Sequence, residues 1–365
     1  MYFKIQANIK KMRILQIIDS LEAGGAERMA VNYANALTHN IEFSGLVVTR
    51  KEGALQQHLD KKVVYLFLNK KRTFDFKALF RLRQYVIGNR VNYIHAHSTS
   101  FFLAFLLKLI HPKIQLIWHD HYGDSEFLNK RPTISLKVAL PFFNGIISVN
   151  QKLKTWAQQQ LHFKNVMYLP NFPSNESEVE AHTILNGIEG KRILCLANLR
   201  VQKNHFLLLE VGKMLKISHP EWSFNLVGKD FEDHYSSQIK KLILGFQLEN
   251  TIFIYGSRQD VGNIIDQSTI AILTSQSEGL PVALLEYGSR KKAVVVTEVG
   301  EMSTLIENEV NGFIVASQEP KLFYNALVQL IENEKLRTRL GEALYKTIEM
   351  NYSEATVIKK YLNWL

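Results

Sequence analysis

Cysteine is almost absent from this 365-residue chain, which contains a single one, Cys195. One thiol excludes an intramolecular disulfide framework and fits a protein of the reducing cytoplasm. Cys195 lies in the apolar run RILCLA, where a small buried hydrophobic residue is expected far more often than a catalytic nucleophile. We therefore expect Cys195 to serve packing.

Long hydrophobic runs and low-complexity tracts are also missing. The longest apolar stretch, FFLAFLLKLI at residues 101–110, is interrupted by Lys108. Because a bilayer span needs about 20 apolar residues, this stretch is predicted to be a buried helix. The opening segment lacks the apolar core and cleavage site of a signal peptide, so we expect residues 1–11 to form a peripheral extension.

Acidic residues are scarce in the first half of the chain. Residues 1–175 contain 24 Lys and Arg against 10 Asp and Glu, whereas residues 176–365 contain 20 against 24. The net charge of +10 therefore conceals one strongly basic half. Such a half is attracted to polyanions, and the lack of a recognised nucleic-acid-binding motif favours an anionic membrane surface over nucleic acid.

Apolar runs alternate with helical patterns along the chain. Seven runs between residues 13 and 170, and six more between residues 192 and 315, are predicted to be strands. Their continuous hydrophobicity indicates strands covered on both faces, hence parallel α/β sheets. We predict two doubly wound, Rossmann-like domains with a ligand cleft between them.

The predicted division of the chain follows this pattern. The polar stretch at residues 173–191 has no clear periodicity and is predicted to be a linker. The last helix could cap the second domain or cross back to the first. The predicted segments are residues 1–11 as an extension, 12–172 as the first domain, 173–191 as the linker, 192–350 as the second domain and 351–365 as the last helix.

Glycines and cations occur where two of the predicted strands end. Gly24 and Gly25 separate the first strand from a helix whose exposed N–H groups favour an anion. Arg200 and Lys203 follow the first strand of the second domain, where two cations could clamp a diphosphate. Taken alone, the glycines could equally form a tight turn and the cations a solvated surface.

Two carboxylates, Glu278 and Glu286, bracket the run GLPVALL. Pro281 is predicted to be the first helical residue, which leaves Glu278 in the loop at the carboxyl end of a strand. Glu286 then lies about 7.5 Å along the helix axis, at roughly 1.5 Å per residue. We expect the two carboxylates to contact different parts of one ligand. Alternatively, Glu278 could be a partner of the helix dipole and Glu286 an exposed helical residue.

The run SEGLPVALLEYGSRKKAVVVTEVGEMSTLI resembles the E-x7-E signature of the family-4 retaining glycosyltransferases. The run MRILQIIDSLEAGGAERMAVNYANAL is similar to the amino-terminal strand-Gly-Gly-helix of that family, LANLRVQKNHFLLL to its phosphate-binding loop, and LPNF to its interdomain segment. This resemblance covers nearly the whole chain. It implies a GT-B fold and transfer of a sugar from a nucleotide-sugar donor to a glycan or lipid-linked acceptor in bacterial cell-surface polysaccharide biosynthesis, with no metal and no cofactor.

The resemblance also implies roles for single residues. Glu286 would bind the ribose hydroxyls, and Glu278 would contact hydroxyls of the transferred sugar. Arg200 and Lys203 would neutralise the leaving diphosphate, and Gly25 would approach the phosphate from the other domain. The implied donor-binding residues are Gly25, Arg200, Lys203, Arg258, Glu278, Gly279, Leu280 and Glu286, and the implied catalytic residues are His119, Glu278, Arg200 and Lys203.

The chain departs from the family pattern at two places. The phosphate-binding loop of the family has an arginine five residues before the lysine, whereas Asn198 occupies that position here and Arg200 lies three residues before Lys203. Glu301 replaces the second glycine of a downstream Gly-Gly pair. The assignment of Lys203 is therefore firmer than that of Arg200.

Histidines end two of the predicted strands. His119 lies where the family has a histidine beside the reacting sugar, and His121 is the alternative. Asp120 could position the histidine or be a solvated loop residue. His95 and His97 are expected to serve loop packing. No activated nucleophile is evident, which fits a front-face displacement by the acceptor hydroxyl.

A basic segment, NKKRTFDFKALFRLRQYV at residues 69–86, interleaves cations with aromatic residues. This combination suits an anionic bilayer surface, although a helix with a core face and a solvated face would show it too. We expect peripheral attachment to the inner face of the cell membrane. The predicted membrane-surface residues are Lys70, Lys71, Arg72, Lys77, Arg81 and Arg83.

Two other functions are compatible with the same fold. A nucleotide-sugar epimerase would need neither an acceptor site nor a basic membrane surface, so the charge asymmetry counts against it. A non-catalytic partner subunit would not need Glu278, Glu286, Lys203 and His119. The sequence leaves open whether the donor is a UDP-, GDP- or ADP-sugar, which acceptor is used and how many copies of the chain associate.

Overall fold

The computed structural model describes residues 8–22, 24–123, 128–174 and 180–365. The chain divides into two compact units. One consists of Met1–Ser177 together with Glu354–Leu365, and the other of Glu178–Ser353. Each unit has its own parallel sheet with helices packed against it.

The first unit contains a seven-stranded parallel sheet in the order β3-β2-β1-β4-β5-β6-β7. The seven apolar runs predicted to be strands all form strands. The strands are β1 Arg13–Ser20, β2 Phe43–Lys51, β3 Val64–Phe67, β4 Tyr93–His97, β5 Gln115–Asp120, β6 Gly145–Ser148 and β7 Val166–Tyr168. The helices are α1 Gly25–Leu37, α2 Phe76–Gly88, α3 Phe101–Ile110, α4 Ile134–Ala139 and α5 Gln151–Gln160.

The second unit contains a six-stranded parallel sheet in the order β10-β9-β8-β11-β12-β13. All six predicted strands are present. The strands are β8 Arg192–Leu196, β9 Ser223–Val227, β10 Ile252–Ile254, β11 Ile270–Leu273, β12 Ala293–Thr297 and β13 Phe313–Val315. The helices are α6 His205–Ser218, α7 His234–Gly245, α8 Val261–Asp266, α9 Val282–Ser289, α10 Met302–Leu305, α11 Pro320–Glu332 and α12 Glu334–Asn351.

Both sheets reverse their strand order at one point. The reversal lies between β1 and β4 in the first unit and between β8 and β11 in the second. Loops that leave such neighbouring strands diverge to opposite faces of the sheet, and ligands of doubly wound folds bind at this opening. The prediction of two doubly wound parallel sheets is confirmed.

Cys195 lies in the middle of β8 and is 1% exposed. Burial raises the pKa of its thiol to about 12, so the sulfur stays protonated at neutral pH. A protonated, buried thiol is a poor nucleophile, and Cys195 is a packing residue.

The chain ends in a helix, α13 Glu354–Trp364, that belongs to the first unit. The ring of Tyr361 packs against Tyr33 of α1 and His95 of β4, with ring centroids 5.2 Å apart in both pairs. The Trp364 indole donates a hydrogen bond to Asn165, 3.2 Å away. These contacts hold α13 on the first sheet.

The second part of the predicted linker has a fixed structure. Asp260 accepts hydrogen bonds from the backbone N–H groups of His182 and Thr183, at 2.9 and 2.7 Å, and from the Thr183 hydroxyl at 2.7 Å. Leu185 is 2% exposed in the core of the second unit. The predicted linker at 173–191 is therefore too long at its carboxyl end.

We predict that Asp260→Asn destabilises the second unit at neutral pH. Burial alone would raise the pKa of Asp260, but hydrogen bonds from Thr183, Asn263 and His182 lower it below its usual value. A carboxylate with a lowered pKa stabilises the fold above the unfolded-state value of about 3.9, and this contribution is lost as the pH falls through the folded-state value. In urea unfolding, Asp260→Asn should cost about 2–4 kcal/mol at pH 7. The difference from wild type should shrink below about pH 4.

Asp266→Asn is the matched control on the same helix. Asp266 is 59% exposed and pairs with Arg290 at 2.5 Å. An exposed ion pair contributes about 0–1 kcal/mol. Equal destabilisation by the two substitutions would contradict the anchoring role of Asp260.

Candidate active site

Lys203 and Glu278 form an ion pair at the reversal point of the second sheet. Lys203 ends the short turn Val201–Lys203 after β8, and Glu278 lies in the loop after β11. The Lys203 ammonium donates to Glu278 Oε1, which also accepts from the Ser275 hydroxyl at 2.6 Å. The Lys203 and Glu278 side chains are 19% and 10% exposed. The structure thus brings together two of the predicted site residues, a cation and a carboxylate.

Hydrogen bonds hold the two loops in register. The Gln276 N–H donates to the Gln202 carbonyl at 2.8 Å, and the Thr274 hydroxyl donates to the Lys203 carbonyl at 3.0 Å. On the other side, the Thr297 hydroxyl donates to the Ser275 carbonyl at 2.6 Å. These three hydrogen bonds fix the backbone of the two loops from which the Lys203 and Glu278 side chains extend.

Gly300 makes the close approach behind Glu278 possible. Its φ of +57° is in the left-handed region, and a Cβ at this position would lie 2.1 Å from the Glu278 carbonyl oxygen. The next residue, Glu301, donates its backbone N–H to the Gly279 carbonyl at 3.2 Å. The geometry therefore requires glycine at position 300, where the chain has it. It does not require glycine at position 301, where the chain has Glu301.

Glu286 is the fifth residue of α9, as the spacing predicted. The helix begins at Val282 with Pro281 as its N-cap, one residue later than expected. Glu286 is half-buried, and the neighbouring Tyr287 is fully buried with its hydroxyl accepting from the Leu196 N–H of β8 at 2.6 Å. This contact ties α9 to the strand that carries the Lys203 loop.

Two other predicted donor-binding residues, Gly279 and Leu280, lie in the loop of Glu278, and a third, Arg258, follows β10. Gly279 is half-buried, and Leu280 is 2% exposed in the core of the second unit. Arg258 is exposed, and its guanidinium donates to the Ser257 carbonyl at 3.0 Å. The side chain of Leu280 therefore packs the loop, and only its backbone is available to a ligand.

Arg200 lies against the loop after β9. Its guanidinium carbon lies 4.4 Å from the ring centroid of Phe231, and the Lys229 ammonium lies 5.0 Å from the same centroid. Lys229 escaped the sequence analysis, although its position directly after the strand SFNLV was a usable signal. Arg200 and Lys229 thus form a second group of cations at this edge of the sheet.

Gly25 is the first residue of α1 and is exposed. Gly24 is the N-cap with an extended φ of −165°. A Cβ at position 25 would meet no heavy atom within 4 Å, so packing within the chain does not require glycine there. The approach of a phosphate to Gly25 stays a prediction.

His119 and His121 differ in their burial. His119 is 0% exposed, its Nδ1 lies 3.0 Å from His95 Nε2, and the Tyr33 ring packs edge-on at 5.6 Å. His121 is half-buried, and its Nε2 lies 2.9 Å from His97 Nδ1. The sequence analysis favoured His119, but this geometry favours His121 as the histidine that a ligand can reach.

Asp120 is a structural residue. It is 1% exposed, and its two carboxylate oxygens accept from the Arg131 guanidinium at 2.7 and 2.8 Å. The Arg131 guanidinium carbon also lies 4.4 Å from the Trp156 ring centroid. This buried, bidentate pair fixes the end of β5, so Asp120 is not a solvated loop residue.

Three histidines lie close enough to bind a metal ion. The potential ligand atoms of His95, His97 and His119 all lie within 4.8 Å of one another. The His95 ring is stacked on the other two, with interplanar angles of 22° and 14°. His95 Nε2 and His119 Nδ1 are hydrogen-bonded to each other, and His97 Nδ1 and Nε2 are bonded to His121 and Gln16, so these nitrogens already have partners within the chain.

The basic segment divides into exposed and buried residues. Lys70 is only 7% exposed, and its backbone N–H donates to the Thr49 carbonyl at 2.6 Å. Its assignment to a membrane surface is therefore wrong. Arg81 donates to the carbonyls of Phe67 and Leu68, both at 3.2 Å, and Arg83 to that of Ile110 at 3.2 Å. The exposed cations are Lys71, Arg72, Lys77 and Arg81.

The three phenylalanines of this segment lie outside the core. Phe74, Phe76 and Phe80 are 60%, 68% and 55% exposed. The buried face of α2 consists instead of Ala78, Leu79, Leu82 and Val86. Besides a buried face and exposed cations, the segment therefore has three exposed phenylalanine rings.

Comparison with known proteins gives similarity to glycosyltransferases along most of the chain. Relatives include an uncharacterized glycosyltransferase of Haemophilus influenzae, 24% identical over 88% of this chain and 90% of the relative. The amylovoran biosynthesis glycosyltransferase AmsD of Erwinia amylovora is 24% identical over 96% and 98%. The UDP-Gal:alpha-D-GlcNAc-diphosphoundecaprenol alpha-1,3-galactosyltransferase of Escherichia coli is 22% identical over 86% of each chain.

Solved structures share the fold. The structure of Anabaena Alr3699/HepE in complex with UDP and glucose has a TM-score of 0.77 at 18% identity, covering 97% of this chain and 100% of the other. A mutant of S. aureus TarM in complex with Fondaparinux, alpha-GlcNAc-glycerol and UDP has a TM-score of 0.77 at 15% identity, covering 97% and 99%. The expectation of a GT-B fold is confirmed.

Two family models match the two units separately. The model for Glycosyltransferase Family 4 matches residues 23–172, and the model for Glycosyl transferases group 1 matches residues 183–347. Lys203, Glu278 and Glu286 lie within the second match, and Gly25, His119 and His121 within the first. The chain belongs to the family-4 glycosyltransferases.

Proposed function

We propose that this glycosyltransferase moves a sugar from a nucleotide-sugar donor to a glycan or lipid-linked acceptor during synthesis of a bacterial cell-surface polysaccharide, with retention of the anomeric configuration. The observation that carries the proposal is the Lys203–Glu278 pair at the reversal point of the second sheet. The names of two relatives support the pathway, since one acts in amylovoran biosynthesis and the other on a diphosphoundecaprenol-linked sugar.

Lys203 is placed to stabilise the leaving group. During transfer the bond from the sugar C1 to the diphosphate oxygen breaks, a bond from C1 to the acceptor oxygen forms, and the acceptor proton leaves with the diphosphate. Negative charge therefore grows on the diphosphate, and a fixed ammonium lowers this barrier. An ammonium has three N–H donors, so Lys203 can keep Glu278 and still donate to a phosphate oxygen.

Glu278 and Glu286 supply two acceptors for sugar hydroxyls. An ionised carboxylate makes stronger hydrogen bonds to hydroxyl groups than a neutral acceptor does. Glu278 beside Lys203 suits the transferred sugar, and Glu286 inside α9 suits the ribose of the nucleotide. Because UDP is present in the matched structures of Anabaena Alr3699/HepE and S. aureus TarM, we propose a UDP-sugar as the donor.

Substitution of the two glutamates tests these roles. Glu286→Ala should weaken binding of the donor by about 10–100-fold, because a charge-assisted hydrogen bond contributes about 1.5–3 kcal/mol. Glu278→Ala should mainly lower kcat. Thermal shifts with UDP-, GDP- and ADP-sugars would first identify the donor, since only a bound ligand raises the apparent stability. Steady-state transfer assays would then separate KM from kcat.

Glu349→Ala provides the control for this pair. Glu349 is an exposed helical glutamate on α12, and its loss should change neither constant. Wild-type transfer by both Glu278→Ala and Glu286→Ala would refute the assigned site. A thermal shift with GDP- or ADP-sugars alone would refute the choice of UDP while leaving the site intact.

We further propose that transfer needs no metal ion, because Lys203, Arg200 and Lys229 together offer three cations near one edge of the second sheet. Dialysis against EDTA should therefore leave kcat within about twofold of its starting value, whereas an enzyme that uses a bound metal as its Lewis acid would lose several kcal/mol of transition-state stabilisation. Loss of activity in EDTA with recovery on addition of Mg²⁺ or Mn²⁺ would refute this proposal.

The exposed residues of the basic segment support attachment to an anionic bilayer. We call Lys71, Arg72, Phe74, Phe76, Lys77 and Phe80 the basic-aromatic surface. The Phe74 ring lies 5.6 Å from that of Phe102 on α3, which extends this surface onto the next helix. Cations attract anionic headgroups and exposed aromatic rings enter the interface, so the two act together. Among the described helices, none is long and apolar enough to cross a bilayer.

A triple substitution tests the membrane proposal. Replacement of Lys71, Arg72 and Lys77 by Glu should abolish co-sedimentation with liposomes rich in anionic lipid at low salt, since each cation near the surface contributes about 1 kcal/mol. The same change at Lys321, Lys335 and Lys346, exposed lysines of the second unit, alters the net charge equally and should leave binding in place. Failure of the wild-type protein to bind would refute the proposal.

A further inference from the structure

Four of the 12 histidines lie in one cluster of the first unit. His95 and His97 belong to β4, His119 belongs to β5, and His121 follows β5. The cluster contains two hydrogen-bonded pairs, His95 with His119 and His97 with His121. The second pair lies closer to the carboxyl ends of the strands and continues to Gln16 of β1, whose Oε1 is 2.8 Å from His97 Nε2.

The imidazoles of this cluster are neutral. His95, His97 and His119 are 0% exposed, and burial lowers their pKa values well below the usual range. Burial also lowers the pKa of His121 to about 3. A neutral imidazole has one N–H donor and one lone-pair acceptor, so each hydrogen bond on one ring nitrogen decides the state of the other.

The tautomers follow from Gln16. In the structure the amide oxygen of Gln16 faces His97 Nε2, and because an amide oxygen only accepts, this orientation puts the His97 proton on Nε2. His97 Nδ1 then has the lone pair and must accept from His121 Nε2. His121 consequently has its proton on Nε2 and a lone pair on Nδ1. Among the residues that the structure describes, none makes a hydrogen bond to this Nδ1.

We propose that Gln16 and His97 are positioning residues that hold His121 in the tautomer with an unprotonated Nδ1, and that this atom accepts a hydrogen bond from a hydroxyl group of a bound sugar. The part concerning sugar rests on the proposed function. The hydroxyl can belong to the acceptor or to the transferred sugar.

Gln16 can hold His97 in place because its own backbone is held between two neighbouring strands. Gln16 is 0% exposed and lies in the centre of the sheet, paired in register with Leu46 of β2 on one side and His95 of β4 on the other. Its backbone therefore cannot shift to follow His97. Rotation of the Gln16 amide by half a turn would present its N–H to His97. The proton of each imidazole would then move to the other ring nitrogen, so the orientation of this one side chain determines the tautomer of His121.

Imidazole ¹⁵N chemical shifts test the tautomer directly. In protein labelled with ¹⁵N-histidine, the His121 signals are identified by their loss in His121→Asn. We expect a protonated Nε2 and a lone-pair Nδ1 at pH 7 in the wild type. Gln16→Met removes the acceptor at similar volume and should give a mixture of both tautomers, whereas Gln159→Met on the exposed face of α5 should change nothing. A protonated Nδ1 in the wild type, or an unchanged spectrum in Gln16→Met, would overturn the proposal.

Activity provides the second readout. His121→Ala should lower kcat about 10–100-fold and Gln16→Met about two- to tenfold, because each weakens a hydrogen bond that acts in the transition state. Unchanged donor hydrolysis without acceptor would place the hydroxyl on the acceptor, and a parallel fall would place it on the transferred sugar. Wild-type transfer by both variants would overturn the role of Nδ1. Absence of transfer by the wild type would refute the proposed function, while the ¹⁵N spectra would still decide the tautomer.

Discussion

The ion pair between Lys203 and Glu278 depends on the order of the strands more than on any local sequence. The two residues are 75 positions apart, and they meet because β8 and β11 are neighbours at the point where the sheet reverses its order. Burying two charges carries a desolvation penalty that mutual attraction offsets only with good geometry. Hydrogen bonds between the loops help to provide that geometry. A large gain in stability is therefore not expected from the pair, which fits the role in ligand binding that we propose.

Those features of the fold and site that follow from short-range patterns were predictable from sequence. Continuous hydrophobic runs identify all thirteen strands, because a strand covered on both faces has no polar side. The positions of Lys203 and Glu278 after strands follow from the same runs, whereas their meeting requires the strand order. The position of Glu286 within α9 follows from helical spacing alone.

Features that depend on distant contacts were not predictable. His119 and His121 project to the same face of the sheet, because side chains two residues apart in a strand do so. Which of them is covered depends on Tyr33, which comes from a helix 86 residues earlier than His119. Lys70 is followed by two basic residues in sequence but is buried beside β2. Residues 182–183 carry no structural pattern, and the carboxylate that fixes them lies 77 and 78 positions away.

The two units differ in the charge of the polar groups at the carboxyl ends of their strands. The second unit places charged groups there, which suits a diphosphate. The first unit places neutral imidazoles there, and neutrality depends on helices α1 and α13. Tyr33 and Tyr361 pack on His95 with ring centroids 5.0 and 5.2 Å away, and both phenols are themselves fully buried. Without these rings, water would reach the imidazoles, and their pKa values would rise toward the ordinary value of about 6.5. A fraction of them would then be charged near neutral pH, and a charged imidazole has no lone pair to offer. The last helix of the chain therefore contributes to the chemistry of the first unit by excluding water, although none of its residues needs to touch a substrate.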